Sequence, residues 1–343
     1  MEQIDLIKNN LGSPTKNYTI FLIEKYPQEL LNFFMEYIPP GFKLVTLEEE
    51  TREEEEKKMM EADFIVLTSH KLSAQTIACG RKVRLIQKLG VGTDMIDLKA
   101  ANVSGIPVAN TGEASSISVA EHTILLMLAV NKKLLLAHNN LKLGRWPRFE
   151  LRLNSFELFN KKLGIIGLGR IGREVAKRAN AFGMDVNYYD IKRPTAEIEE
   201  SLNVNYFSLS ELLASSDVIS LHVKLTEENH GLIGEGEFKL MKKTAIIINT
   251  ARAQLIESEE ILIKVLKERV IAGAGLDVFH QEPVTENNPL LHLENVVATP
   301  HIGAGTRDSL SRVYQRALRN ILRVASGDTP ENLVNPDYRN VEV

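Results

Sequence analysis

The chain has 343 residues, 44% hydrophobic and 25% charged, and its 41 basic against 45 acidic side chains leave a net charge of −4. That is material for about two domains, and it excludes the strongly basic field that nucleic acid or an anionic membrane surface would require of a partner. Cys79 is the single cysteine, so no internal disulfide can form and a reducing, cytoplasmic compartment is expected.

The opening MEQIDLIKNN lacks the basic start and apolar run of a secretory signal. Thr19–Ile23 reads as a strand, Pro27–Ile38 as a helix and Phe42–Thr46 as a strand. Thr51–Glu61 reads as a charged helix. Its glutamates invite a metal-site reading, but Glu53 and Glu54 precede Lys57 and Lys58 by four residues, the favoured order for ion pairs on a solvated face. No metal site is expected. Phe64–Thr68 and Leu85–Leu89 are strands, with a Ser-capped helix over Ser73–Cys79 between them. This alternation predicts an α/β fold with parallel sheets covered on both faces.

Ser118–Val130 reads as a buried helix capped by Ser118, with Glu121 and His122 assigned to structure or cofactor-side packing. Its most apolar stretch, Ile124 to Val130, is seven residues, short of the ~20 that a membrane span needs. From Lys162 the strands read LGIIG, DVNYYD, VISLHV, TAIIINT, AGAGLDVF and NVVATPH.

Gly167-Leu168-Gly169-Arg170-Ile171-Gly172 follows the first of these strands and opens a helix. Gly167 permits the turn, Gly169 leaves room for a pyrophosphate, and Gly172 lets helix and strand pack closely. The free N–H groups of the helix start suit the phosphates. Asp190, at the end of the next strand, can accept from both ribose hydroxyls and would repel a 2′-phosphate. Arg193 lies just beyond and could meet such a phosphate, but the nearer Asp190 favours NAD.

Three later strand ends carry reactive side chains: Arg252 after TAIIINT, Asp277 and Glu282 in GLDVFHQEP, and His301 in TPHIG. Ligands bind at the carboxyl ends of such strands. Reducing a ketone leaves an alkoxide that needs a proton, which a histidine can give. A carboxylate orients that ring and favours its charged form. An arginine clamps a carboxylate with two parallel hydrogen bonds. Singly, each of these residues reads as surface or structure; together on one dinucleotide-binding sheet they read as catalytic.

The motifs LGVGTDMID, SVAEHT, GLGRIG, GLDVFHQEP and TPHIGAGT, with the Arg252 segment, resemble those of the D-isomer-specific 2-hydroxyacid dehydrogenases. The resemblance runs from about Leu85 to about Thr306. It implies two doubly wound domains, with a Rossmann NAD domain (113–306) inserted into a flavodoxin-like substrate domain (1–112 and 307–343). It implies His301 as general acid/base, Glu282 as its partner and Arg252 on the substrate carboxylate and carbonyl. The backbone amides around Val91 and Gly92 would hold the other side of that carboxylate. Arg170 and Ile171 would meet the pyrophosphate, Asp190 the adenosine ribose and Asp277 the nicotinamide carboxamide. Val223, Asn229 and Thr250 would line the cofactor cleft. The final helix, around Ser309–Ser326, would return to the first domain, hinged closure would exclude water, and the helix near Ser118 would join a homodimer interface.

The implied partner is a small 2-oxo or 2-hydroxy acid. Ala253 and Lys224 stand where the family usually has Gly and Pro, which bears on cofactor affinity. Ser69-His70-Lys71 ends the strand Phe64–Thr68, and His70 or Lys71 is expected to read the substrate's distal group, an anionic one; a polar loop is the equal alternative. The rival readings are dehydrogenation of another small anion such as phosphite, and an NAD-sensing protein-binding module. A formate-type enzyme would carry Gln in place of Glu282. About forty residues follow His301, too few for a regulatory domain.

Overall fold

The computed structural model describes residues 17–339. The opening decapeptide therefore falls outside the described residues. The chain divides into two compact units, one running to Ser115 and resuming at Arg307, the other spanning Ser116–Thr306.

In the first unit the elements alternate as β1 (Tyr18–Leu22), α1 (Gln28–Met35), β2 (Phe42–Thr46), α2 (Arg52–Glu61), β3 (Phe64–Leu67), α3 (Ala74–Cys79), β4 (Leu85–Lys88), α4 (Leu98–Val103) and β5 (Val108–Ala109). The five strands are parallel in the order β2-β1-β3-β4-β5. Alternate side chains leave opposite faces of a strand. Ile20 and Leu22 accordingly join Phe64 and Val66 under the helix Arg307–Ala325, which supplies Val313, Tyr314, Ala317 and Ile321. Phe21 and Ile23 join Ile65 and Leu67 on the other face with Met59, Ile77 and Ala101. Burial on both faces explains why β3 reads as an unbroken apolar run.

Strand order reverses between β1 and β3, which makes their carboxyl ends the topological switch point. The charged helix α2 is a solvated face. Thr51 caps it, and Lys58 and Arg52 pair with Glu54 at 2.6 Å and Glu56 at 2.8 Å.

The second unit opens with α5 (Ser116–Asn131) and α6 (Leu134–Lys142), then runs β6 (Lys162–Ile166), α7 (Arg170–Ala181), β7 (Asp185–Tyr189), α8 (Ala196–Leu202), β8 (Asn205–Tyr206), α9 (Leu209–Ser215), β9 (Val218–Leu221), α10 (Glu235–Leu240), β10 (Ile246–Asn249), α11 (Glu259–Lys267), β11 (Gly273–Leu276) and β12 (Val296–Ala298). Its parallel sheet has the order β12-β11-β10-β9-β6-β7-β8. This is the dinucleotide-binding order with one strand added, and its switch point lies between β6 and β9.

Two expectations about α5 need correction. Ser118 is not its cap: the helix begins two residues earlier, and Ser118 Oγ donates to Gly303 O at 2.7 Å. The apolar stretch is also longer than seven residues. Gly112–Asn131 is 20 residues, long and apolar enough by length and composition to cross a membrane. α5 is nonetheless a core helix, its buried side chains packed against α7, β10, β11 and β12. A helix apolar nearly all round belongs in a core or a membrane, and here neighbouring elements cover it.

Candidate active site

The glycine loop follows β6 and shows why each glycine is needed. Gly167 has φ +98°, and a Cβ there would sit 2.7 Å from Val223 Cγ1 and 2.8 Å from His222 O. A Cβ on Gly172 would lie 2.1 Å from Gly167 O, whereas nothing lies within 4 Å of one on Gly169. The second glycine is thus the bare one, at the start of a 12-residue helix that lacks a side-chain cap. The first N–H groups of a helix have no partner within it, so Gly169, Arg170 and Ile171 sit where a pyrophosphate fits.

Asp190 follows β7 and accepts from Leu168 N–H at 2.8 Å and Lys192 N–H at 3.0 Å. Its carboxylate is therefore tied to the glycine loop. Arg193 is committed elsewhere. Its guanidinium forks onto Glu199 at 2.7 and 2.9 Å and stacks over Tyr206. Glu199 also accepts from the Tyr188 hydroxyl. Hydrogen bonds from Arg193 and then Tyr188 hold the Glu199 carboxyl down at about 2.

At the end of β10, the buried Asn249 accepts from Ala251 N–H at 3.0 Å and donates to Arg252 O at 2.9 Å, fixing the backbone of the arginine. Ala253, the departure from the family pattern, is buried in the turn Ala253–Leu255. Glu282 Oε2 meets His301 Nδ1 at 2.7 Å, and Glu282 Oε1 accepts from Phe279 N–H at 3.0 Å. Burial pushes the Glu282 carboxyl up, but the bonds from His301 and Phe279, with the charges of His301 and Arg252, outweigh it and hold it below the usual range. A carboxylate on Nδ1 sets the other nitrogen, Nε2, as the one to exchange a proton. His301 itself stands at φ +53°, a left-handed conformation uncommon outside glycine.

What holds that conformation is a network the sequence reading did not find. Asp277 is 1% exposed. Its carboxylate accepts from Thr299 Oγ1 at 2.6 Å, Ile302 N–H at 2.9 Å and Gly303 N–H at 2.7 Å. His122 Nε2, from α5, lies 2.9 Å from Thr299 Oγ1 and 3.4 Å from Asp277 Oδ1. Burial would raise the Asp277 carboxyl, but these four bonds together lower it. Asp277 thus pins the loop on both sides of His301, and His122 is its partner. The only sequence signal was the polarity of His122 on an apolar helix.

Asn229 and Thr250, expected at the cofactor cleft, are each engaged within the protein. Asn229 bridges its loop, accepting from Thr226 N–H at 2.8 Å and donating to Lys224 O at 2.7 Å. Thr250 Oγ1 meets Thr123 Oγ1 at 3.1 Å. His222, beside Val223, is held by Ser220 at 2.8 Å while its Nδ1 is buried without a hydrogen bond. Burial lowers its pKa to about 3, so it is neutral.

In the first unit, Val91 and Gly92 follow β4, with Val91 exposed and its carbonyl accepting from Asn110 Nδ2 at 3.0 Å. The His70 half of the distal-group expectation meets a competing partner: His70 Nε2 lies 3.1 Å from Glu55 Oε2.

A glycine loop with one bare glycine, an acid just past the next strand and an Arg, Glu and His on the later strand ends match one known pattern. The profile described as "D-isomer specific 2-hydroxyacid dehydrogenase, NAD binding domain" matches residues 124–303. The chain belongs to the D-isomer-specific 2-hydroxyacid dehydrogenase family. It is 36% identical over 310 residues to the glyoxylate reductase of Korarchaeum cryptofilum, covering 90% of each chain. It is 44% identical over 287 residues to the D-3-phosphoglycerate dehydrogenase of Methanocaldococcus jannaschii, and there it spans about half the relative's length, 54%, from 83% of its own. The solved D-lactate dehydrogenase from Aquifex aeolicus, complexed with NAD and lactic acid, superposes with TM-score 0.80 at 32% identity over 92% of this chain and 99% of that one. A dehydrogenase of this family is an NAD-dependent oxidoreductase, and the cofactor of this one is NAD(H).

Proposed function

We propose that the enzyme interconverts a small 2-oxo acid and the D-2-hydroxy acid, with His301 as general acid/base. The observation that carries this reading is the 2.7 Å Glu282–His301 pair on an NAD-binding sheet, close enough to Arg252 for that charge to bear on Glu282. Bound NADH supplies the hydride. His301 Nε2 gives the proton that the new alkoxide requires; Glu282 stabilises the imidazolium before the transfer and keeps the neutral ring oriented through Nδ1 after it. Arg252 clamps the substrate carboxylate and polarises the adjacent carbonyl. The amides of Val91 and Gly92 complete the carboxylate's contacts. Asp277, buried and fully engaged by its own loop, holds the His301 segment in place. The first unit is accordingly the substrate domain and Ser116–Thr306 the cofactor domain.

NAD over NADP is supported by Asp190 at the ribose position and by the commitment of Arg193 to Glu199. A homodimer is supported by residues 134–159. There Leu143, Trp146, Phe149, Leu153 and Phe159 are all exposed, Leu153 at 88%, and α6 buries no side chain. So dense an apolar surface marks an interaction site. A cytoplasmic location fits a single, free cysteine.

The test follows NADH oxidation at 340 nm with glyoxylate, hydroxypyruvate, pyruvate, phenylpyruvate, 2-oxoglutarate and 3-phosphohydroxypyruvate. The expected result is turnover of at least one acid to the D-product. Silence on all of them, with NADH bound, would point to a phosphite-like anion or a sensor.

A further inference from the structure

The motif-poor end of the first sheet holds a carboxylate that the proposed chemistry does not use. Glu24 follows β1, and its side chain reaches the end of β3. Glu24 Oε2 accepts from Thr68 N–H at 2.6 Å, and Oε1 accepts from both Ser69 N–H and His70 N–H. Three consecutive backbone donors converge on one acid, the geometry of an anion-binding nest. Tyr26 closes the same corner, its hydroxyl bonded to Thr68 Oγ1. Burial pushes that hydroxyl well above its usual range; Thr68 opposes the shift and the charge of Glu24 adds to it.

This corner is the switch point between β1 and β3, where sheets of this order bind ligands. It is also adjacent to the loop of Val91 and Gly92. β3 pairs with β4 from Phe64↔Leu85 to Leu67↔Lys88, and Leu89 N–H continues the ladder to Leu67 O at 2.8 Å. Neighbouring strands lie about 4.8 Å apart. The end of β3 thus lies one strand away from the amides after β4, within reach of the distal carbons of a 2-oxo acid whose carboxylate rests on those amides.

We propose that Glu24 fixes the substrate class: it fills the amide nest with its own charge, so the enzyme accepts 2-oxo acids with an absent or uncharged distal group and rejects those with a second carboxylate or a phosphate. The inference rests on the 2-oxo acid reading above and deepens it. A distal anion would find these donors taken and would face a like charge a few ångströms away, a repulsion that costs tenfold or more in affinity outside bulk water. The cations nearby are each engaged or turned away from Glu24: the buried Lys88, opposite Leu67, directs its Nζ to Leu89 O at 2.6 Å. His70 is paired with Glu55 at 3.1 Å, Lys25 donates to Glu48 O at 3.2 Å, and Lys71 is exposed beyond the loop.

The experiment measures kcat/KM with NADH for hydroxypyruvate against 3-phosphohydroxypyruvate, and for pyruvate against 2-oxoglutarate, with glyoxylate as the tail-less reference. The wild type is expected to favour the uncharged member of each pair by at least ~10-fold. Glu24→Gln, which keeps an acceptor for the amides but loses the charge, is expected to narrow each ratio about tenfold, and Lys71→Ala to leave the ratios where they are. Wild-type preference for the anionic acids, ratios unmoved by Glu24→Gln, or ratios collapsed by Lys71→Ala would each overturn the proposal. If Glu24→Gln does not fold, the wild-type ratios decide alone. No turnover of any acid by NADH-bound wild type would instead overturn the 2-oxo acid reading, and this inference with it.

Discussion

Both sheets of this enzyme end in a cluster of backbone amides at a topological switch point, yet the two clusters are used oppositely. After β6 the loop is bare at Gly169, with open space where a side chain would stand. After β3 the loop is filled by Glu24. Bare amides at a helix start take a ligand's phosphate. Amides already satisfied by a fixed carboxylate instead present that carboxylate's charge to whatever comes near. The comparison separates what the fold supplies in common, oriented N–H groups at strand ends, from what the side chains decide.

The largest expected effect outside the proton donor itself is at Arg252. Arg252→Lys keeps the charge but loses the fork, and kcat/KM for the preferred 2-oxo acid is expected to fall about 100-fold, roughly 3 kcal/mol. Loss confined to NADH binding would move Arg252 off the substrate. Gly172→Ala and Gly169→Ala separate the packed glycine from the bare one. The first drives a Cβ into Gly167 O and is expected to cost about 3 kcal/mol, a melting shift of roughly 5–10 °C. The second is expected to leave melting in place and weaken NADH about tenfold, which calorimetric titration reads.

Glu199→Gln sharpens the cofactor side. Freed of its partner carboxylate, Arg193 becomes available to a 2′-phosphate, and the ratio of 2′,5′-ADP to ADP affinity is expected to rise about tenfold. An unchanged ratio would leave discrimination to Asp190 alone.

The smallest effect is on stability against pH. Burial holds the His222 pKa near 3 against 6.5 for the free side chain. The unfolded chain then binds the extra proton first. The contribution of His222 to stability is full above pH 6.5 and is lost as pH falls toward 3, at no more than about 1.4 kcal/mol per pH unit. Urea midpoints measured from pH 7.5 to 5 are expected to fall less steeply in His222→Asn than in the wild type.

The contrast between the two amide clusters also explains what could be read without coordinates. The second sheet was legible because its chemistry sits in contiguous motifs: three glycines with fixed steric duties, an acid one strand later, and Arg252, Glu282 and His301 each just past an apolar run. Short edge strands such as β5 and β8, two residues each, carry too little periodicity to be found. The His122–Asp277–Thr299 network was not legible because its members lie on separate elements, 155 residues apart in the case of His122 and Asp277. Glu24 was hidden for the same reason. It lies 44 residues from Thr68 in a stretch with no motif.

The most direct test of the account is His301→Ala, assayed for NADH binding by titration and for turnover of the preferred 2-oxo acid in the same preparation. The account predicts unchanged NADH affinity with kcat lowered by about 10²–10⁴-fold. Turnover within a few-fold of wild type would contradict the assignment of His301 as the proton donor.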